Sequence, residues 1–191
     1  MLTQLTTLKS RLAITDTQSD ALLTSAIQAV GARFDKETRR GLARATDLPE
    51  EFAADETEVC LSCYPVESVT RFELKTNETD GWVEQAGVEF LLRSHCVLSL
   101  SAPLGSDQQL ARVTYTGGYV LPGTAPGDGQ TALPADLEQA AIEQVVFWYN
   151  NRDRVGVIRE WPKGGVYLQF AGIDLIPSVQ SVLANYRRVA W

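Results

Sequence analysis

Three cysteines and a single histidine are the residues whose types could support metal chemistry. Two residues separate Cys60 from Cys63, and His95 is followed directly by Cys96. Thiolates and an imidazole are the ligands of structural zinc sites. The local pattern opposes such a site, because odd spacing in the strand-like run around Cys60 directs the two thiols to opposite faces. Buried thiols in a sheet are therefore favoured, and a zinc-stabilised nucleic-acid-binding module remains the alternative function.

Nucleophilic catalysis would have to use His95, because the chain contains no other histidine. A nucleophile and its base must meet within hydrogen-bond reach, whereas adjacent His95 and Cys96 diverge along a strand. Neither a Gly-x-Ser-x-Gly elbow nor a Gly-x-x-x-x-Gly-Lys-Ser/Thr loop occurs. The acidic residues of 50–56 flank a proline and are expected to be solvated. A small hydrolase built on His95 is thus disfavoured, and the sequence predicts no catalytic residue and no cofactor.

Charge and composition narrow the range of partners. The chain has 191 residues and a formal net charge of −7, which opposes binding of nucleic acid over the whole surface. A basic run near the end of the second helix complements the helix dipole, with a DNA-facing or intersubunit stripe as the alternative. That run comprises Arg33, Lys36, Arg39, Arg40 and Arg44. An odd cysteine count and the lack of a signal peptide or membrane-length apolar run predict assembly in a reducing cytosol.

The first 47 residues have helical periodicity. Leucines recur at three- and four-residue steps through the first dozen residues, which predicts a short amphipathic helix. A second and longer apolar stripe predicts a helix that ends near 38–41. The stripe consists of Leu22, Leu23, Ala26, Ile27, Val30 and Phe34.

In the middle of the chain the apolar residues no longer recur at helical spacing. Residues 48–55 contain a proline and several acids, and they are interpreted as a connection. Short runs of β-branched and aromatic residues then predict four to six antiparallel strands within 57–116. Glycines and prolines predict a long loop over 117–129. Pro134 suits the first turn of a helix that extends to about 151 and is apolar on most sides. Such a helix belongs to the centre of a core or is shared with a neighbouring subunit.

The C-terminal segment, 155–191, is rich in aromatic residues but broken by glycine and proline. Only 178–186 has helical spacing. We therefore predict an α+β chain organised as one domain, 1–191. Its parts are N-terminal helices at 1–47, an antiparallel β-rich insertion at 57–117, a core helix at 134–154 and an extended C-terminal tail at 155–191.

The order of these segments resembles the head–tail connector (adaptor) family of long-tailed bacteriophages, prophages and gene transfer agents. The resemblance covers nearly the whole chain. The first two helices carry it, together with VTYTGGY at 113–119, LPADLEQAA at 133–141 and WYNNR at 148–152. The large strand-rich middle departs from the shortest members of the family.

This resemblance implies a structural protein of the virion neck, made in the host cytoplasm, without catalytic residues. It implies a ring, usually twelvefold, that docks under the portal protein, extends the DNA channel and receives a tail-side stopper or tail completion protein. DNA would pass through without sequence-specific binding, and no membrane is involved. Aromatic and arginine side chains dominate interface hot spots, so the segment from about Trp161 to Trp191 is expected to be the main portal-docking element. The alternative is that the tail folds back over its own helices and buries its aromatic residues within the subunit. The expected anchors are Trp161, Tyr186, Arg187, Arg188 and Trp191.

Overall fold

The computed structural model describes residues 1–152 and 175–188. It confirms a mixed α+β fold, and the chain divides into a helical unit and a sheet unit. The elements are α1 (Leu5–Leu12), α2 (Asp20–Thr38), β1 (Ala45–Ala53), β2 (Glu58–Cys60), β3 (Val66–Lys75), β4 (Trp82–Gln85), β5 (Phe90–Arg93), β6 (Val97–Leu100), β7 (Leu110–Gly117), β8 (Tyr119–Val120), β9 (Thr131–Ala132), α3 (Ala135–Asn150) and α4 (Pro177–Ala184).

The helical unit comprises Met1–Glu37 and Pro134–Tyr186. On α2 the buried apolar side chains follow the predicted stripe and are Leu23, Ile27, Val30 and Phe34. Of the other two predicted residues, Ala26 is partly buried and Leu22 is 51% exposed. The predicted end of the helix is confirmed, because α2 stops at Thr38 and Arg39 has a φ of 54°. This left-handed conformation ends the helix one residue past its last turn, where glycine is more common.

The helix α3 occupies the centre of the helical unit, as its apolar sides predicted. Its buried side chains are Leu137, Ala140, Ala141, Ile142, Gln144 and Val145. The helix α4 packs against α3 and confirms the helical spacing found near the C-terminus. Leu175, Val179 and Leu183 are at most 4% exposed, so this part of the tail belongs to the core. These residues follow the alternative expected for the tail, which is packing within the subunit.

Gln144 joins α3 to α4. Its side chain is fully buried, and its Oε1 accepts a hydrogen bond of 3.0 Å from the backbone N–H of Ile176. Ile176 is the N-cap residue of α4, and its apolar side chain makes no capping hydrogen bond to the helix. The amide of Gln144 thus satisfies a backbone group at the start of α4, which a helix otherwise leaves unpaired.

The sheet unit comprises Thr38–Leu133 and the residues after Tyr186. One sheet has the strand order β1-β7-β3-β4 and the other β2-β6-β5, and every pairing within them is antiparallel. Six strands lie within 57–117, which confirms the predicted number. Their core is Phe52, Ala54, Val59, Leu61, Cys63, Val66, Phe72, Leu98, Leu100, Ala111, Val113 and Tyr115. The predicted loop after Gly117 begins instead with β8, which pairs in parallel with β9.

The strand β1 replaces the connection predicted over 48–55, and that prediction was wrong. β1 pairs with β7 over most of its length and forms an edge of the larger sheet. An edge strand tolerates Pro49 because the missing N–H can face away from the partner strand. It contains Asp47, Glu50 and Glu51, and its Phe52 contributes to the core. The proline and the acids therefore mark a strand at the sheet edge rather than a loop.

Two glycines at the end of β7 allow backbone segments to cross closely. A Cβ added to Gly117 would lie 2.4 Å from the carbonyl oxygen of Cys63. Gly118 has a φ of 101°, and a Cβ there would lie 2.6 Å from the carbonyl oxygen of Ala43. Both neighbours are backbone atoms, so side-chain adjustment cannot relieve the overlap. The crossing at 117–118 thus requires glycine at both positions.

Candidate functional site

The four candidate zinc ligands are placed for different roles. The Cys63 thiol is buried and donates to the carbonyl oxygens of Ala43 and Gly117, each 3.4 Å away. Cys60 and Cys96 are half-buried, and burial is the main cause that raises the pKa of the Cys96 thiol, with the nearby Cys60 adding to it.

His95 is exposed in the turn between β5 and β6, where its φ is 56°. Within 1–152 and 175–188, no three His, Cys, Asp or Glu side chains are placed to hold a metal ion. The zinc-stabilised alternative therefore lacks its ligand set.

A polar network around Glu50 crosses the sheet unit. The Glu50 carboxylate accepts hydrogen bonds from the Ser62 hydroxyl and from the Ser62 N–H, the latter at 3.2 Å. The hydroxyl of fully buried Tyr115 is 3.5 Å from Glu50 and accepts the N–H of Cys63 at 2.9 Å. Burial raises the pKa of Tyr115. The expectation of a solvated Glu50 was therefore wrong, because β1 turns this carboxylate toward the Ser62 and Tyr115 hydroxyls.

Arg188 is the main link between the C-terminus and this network. Its guanidinium donates to the Glu50 carboxylate at 3.0 Å and to the carbonyl oxygen of Cys60. Its backbone N–H donates to the carbonyl oxygen of Thr38 at 2.8 Å. The side chains of Arg188 and Glu50 are 29% and 15% exposed, so the pair is partly shielded from water. Arg188 thus fastens the chain end to the sheet unit.

The other predicted anchors have separate environments. The Tyr186 hydroxyl donates to the carboxylate of Asp136, 2.7 Å away in the helical unit. Arg187 lies between these two anchored residues and makes contacts of its own. Trp161 and Trp191 lie outside the described residues. Tyr186 and Arg188 thus each have a partner within their own unit.

Two arginines of the basic run at the end of α2, Arg40 and Arg44, have partners inside the sheet unit. Arg40 is 4% exposed, and its guanidinium lies 3.3 Å from the ring centre of Tyr64 and 5.3 Å from that of Tyr119. Its Nε has no hydrogen-bond partner within the described ranges. Arg44 forms a two-pronged salt bridge with Glu67 at 2.8 and 2.9 Å. A DNA-facing stripe cannot include these two arginines.

Within 1–152 and 175–188, β5 has the longest run of exposed large apolar residues. Phe90, Leu91 and Leu92 follow one another and are 37%, 67% and 36% exposed. The ring of Phe90 lies 5.5 Å from that of Phe72, which fixes the inner side of the strand against the core. Three consecutive exposed apolar residues on a sheet edge are unusual in a protein that remains alone. Sequence reasoning missed this segment because the same residues also suit a buried strand.

The α+β fold and the exposed apolar residues of β5 are typical of a class of proteins that contact other protein chains. Within that class, the chain belongs to the head completion protein family, whose sequence model matches residues 1–189. This match confirms the resemblance found in the sequence. No curated protein matches the chain.

Solved structures of gene transfer agents share the fold. A chain in the neck of an empty particle, computed with C6 symmetry, has a TM-score of 0.60 and 16% identity, with 98% of this chain and 90% of that chain covered. A chain in the neck of a native particle, computed with C12 symmetry, has a TM-score of 0.51 and 18% identity over 90% of this chain and 84% of that one. A chain of the native virion has a TM-score of 0.54 and 18% identity, covering 94% and 82%.

Across residues 1–152 and 175–188, no helix combines the length and the apolar character that crossing a membrane requires.

Proposed function

We propose that this protein is a head–tail connector subunit in the neck of a phage-like particle. The observation that carries the proposal is the match of residues 1–189 to the head completion protein family. The likeness to neck chains supports it, because the alignment extends over 98% of this chain and 90% of the chain from the empty particle. Both units of the fold are thus included in the likeness. We propose a structural role without catalytic activity, which the match to the head completion protein family supports.

The subunits form a closed ring beneath the portal protein, extend the DNA channel and present a surface to the stopper or tail completion protein. The ring is supported by the C6 and C12 symmetry with which the related necks were computed. The net charge of −7 supports a channel component that does not retain DNA, since phosphates and acidic side chains repel each other. Internal use of Arg40 and Arg44 leaves fewer cations for phosphate contacts.

Docking on the portal is assigned to the segment between Trp161 and Trp191, which contains aromatic and arginine residues suited to interface hot spots. Tyr186 and Arg188 also hold the fold together through Asp136 and Glu50. Substituting either residue is therefore expected to lower stability as well as attachment.

The decisive experiment deletes the gene for this chain in the particle-producing cell and examines the products by electron microscopy. We expect filled or partly filled heads without tails, and a complemented strain that restores joined particles. Imaging of the neck in restored particles should show this chain as a ring between portal and tail. Normal tailed particles from the deletion strain, or a complemented particle whose neck lacks this chain, would exclude the connector function.

A further inference from the structure

The strand β5 is an edge of the smaller sheet, because within the described residues it pairs only with β6. The N–H of Ser101 donates to the carbonyl oxygen of Glu89 at 3.0 Å, which identifies these two as a hydrogen-bonded pair. Antiparallel ladders alternate hydrogen-bonded and non-hydrogen-bonded pairs. Phe90 and Leu92 therefore direct their backbone N–H and C=O groups away from β6. These groups form a template on which another extended segment can pair.

The other edge strands of the two larger sheets carry features that hinder pairing. The edge strand β1 contains Pro49 and has a register shift near its start. The edge strand β2 has three residues, and its Cys60 carbonyl is occupied by Arg188. On β4, the exposed Glu84 places a charge on the strand. Proline, short length and charged side chains are the usual devices that prevent pairing at an edge.

The charge distribution favours contact between copies at this strand. Two copies that each have a net charge of −7 repel one another, so they approach most easily where neither presents unpaired charge. Phe90, Leu91 and Leu92 carry none, and the charge of Arg93 is balanced by Glu58 at 2.9 Å. The residues of β5 thus add no unpaired charge to a contact between like-charged copies.

We infer that β5 is a contact between neighbouring copies of this chain, in which an extended segment of one copy pairs along the outer edge of β5 of the next. This inference rests on the proposed ring, because a ring requires each copy to offer one surface to the copy before it and a different surface to the copy after it. Main-chain hydrogen bonds from Phe90 and Leu92 supply the pairing, and the side chain of Leu91 supplies apolar contact on the outer face.

The size of the contact explains when it forms. A stable interface involves roughly 20–30 residues on each partner, whereas β5 has 4 residues. The strand contact alone therefore gives only weak self-association in solution. In a closed ring each copy has two neighbours and is held on the portal, which raises the effective concentration of the contact. Free protein is expected to be mostly monomeric, while β5 is covered in the particle.

The test places a photo-crosslinking amino acid at position 91 of the full-length chain in particle-producing cells. The matched control places it at 110, where Leu110 is 45% exposed on β7. After irradiation of purified particles, we expect a covalent dimer of twice 21.0 kDa, several-fold more abundant for position 91 than for position 110. Mass spectrometry should map the link to a second copy. Links from 91 only to another protein, or a self-link no stronger than at 110, would overturn the inference.

Hydrogen–deuterium exchange gives a second readout that needs no substitution. In unmodified particles, the amides of 89–93 should exchange more slowly than in the free protein, and equal exchange would also overturn the inference. A neck that lacks this chain refutes the proposed function itself. A neck that contains a ring of this chain, with 89–93 unprotected, refutes only the role of β5.

Discussion

Replacement of Gly118 by alanine tests the close crossing of backbone segments in the sheet unit. An alanine at this φ of 101° is strained, and its Cβ would lie 2.6 Å from the carbonyl oxygen and 2.8 Å from the carbonyl carbon of Ala43. It would also lie 2.8 Å from the Cα of Arg44. No side chain can move to relieve this overlap, so the segment at Ala43 and Arg44 must shift.

The expected loss of unfolding free energy has two separate contributions. The left-handed conformation costs an L-residue about 1–2 kcal/mol, and forcing extra volume into a packed position adds about 1–3 kcal/mol. Loss of glycine freedom in the unfolded chain offsets about 0.4–1 kcal/mol. We therefore expect Gly118→Ala to lower the free energy of unfolding by about 3 kcal/mol, which is about 6–12 °C in Tm for a chain of this size.

The matched control is Gly129→Ala. Gly129 also has a positive φ, 75°, but a Cβ there meets nothing within 4 Å. Only the conformational cost applies, so the expected loss is about 1 kcal/mol, or about 2–4 °C. Thermal unfolding of both variants, followed by circular dichroism, gives the comparison. Equal shifts for the two variants would show that the crossing at Gly118 is not tight, and the reasoning from the backbone overlap would fail.

Three further predictions concern the C-terminus and the buried network. Truncation after Gly172 should lower Tm by at least several degrees or cause aggregation, because Leu175 and the buried face of α4 leave the core; unchanged melting would contradict this. Arg188→Met should cost about 2–4 kcal/mol in urea unfolding, because Glu50 loses its cation in a partly buried site, and an effect below about 0.5 kcal/mol would count against the network. Burial raises the pKa of Tyr115 above 10.0, so its contribution to stability is complete below that pH and is lost as pH rises through the folded pKa. Tyr115→Phe should flatten this alkaline decline in unfolding free energy, and an unchanged slope would refute the assignment.

The helices were predictable because their apolar residues recur at helical spacing over many positions. The stripe Leu23, Ile27, Val30 and Phe34 is buried on α2, and even the eight-residue α4 was indicated by its spacing. The strand β1 was not predictable in the same way. Its alternation is interrupted by Pro49 and dominated by acids, and only the neighbouring β7 shows that this segment is an edge strand.

Contacts between distant parts of the chain were beyond the reach of sequence patterns. Arg188 and Glu50 are separated by 138 residues, and nothing in either local sequence indicates the other. The arginine was predicted as an interface anchor because arginine is enriched at interfaces, but the same planar cation also suits a half-buried internal pair. Residue type alone does not distinguish the two uses, whereas the direction of the guanidinium toward Glu50 and the Cys60 carbonyl does.

The segment VTYTGGY shows how a family pattern can arise from packing rather than from a binding site. The buried Tyr115 hydroxyl accepts a hydrogen bond from the N–H of Cys63. Gly117 and Gly118 permit the backbone to pass close to the segments at Cys63 and Ala43. Each of these roles admits few other residue types, so the pattern identifies the fold with some specificity while indicating nothing about a partner. The surface that we assign to partner contact, β5, has the opposite character. Any apolar residues of suitable size would maintain it, so a short sequence pattern for it is not to be expected, and structure is the better guide to where copies of this chain meet.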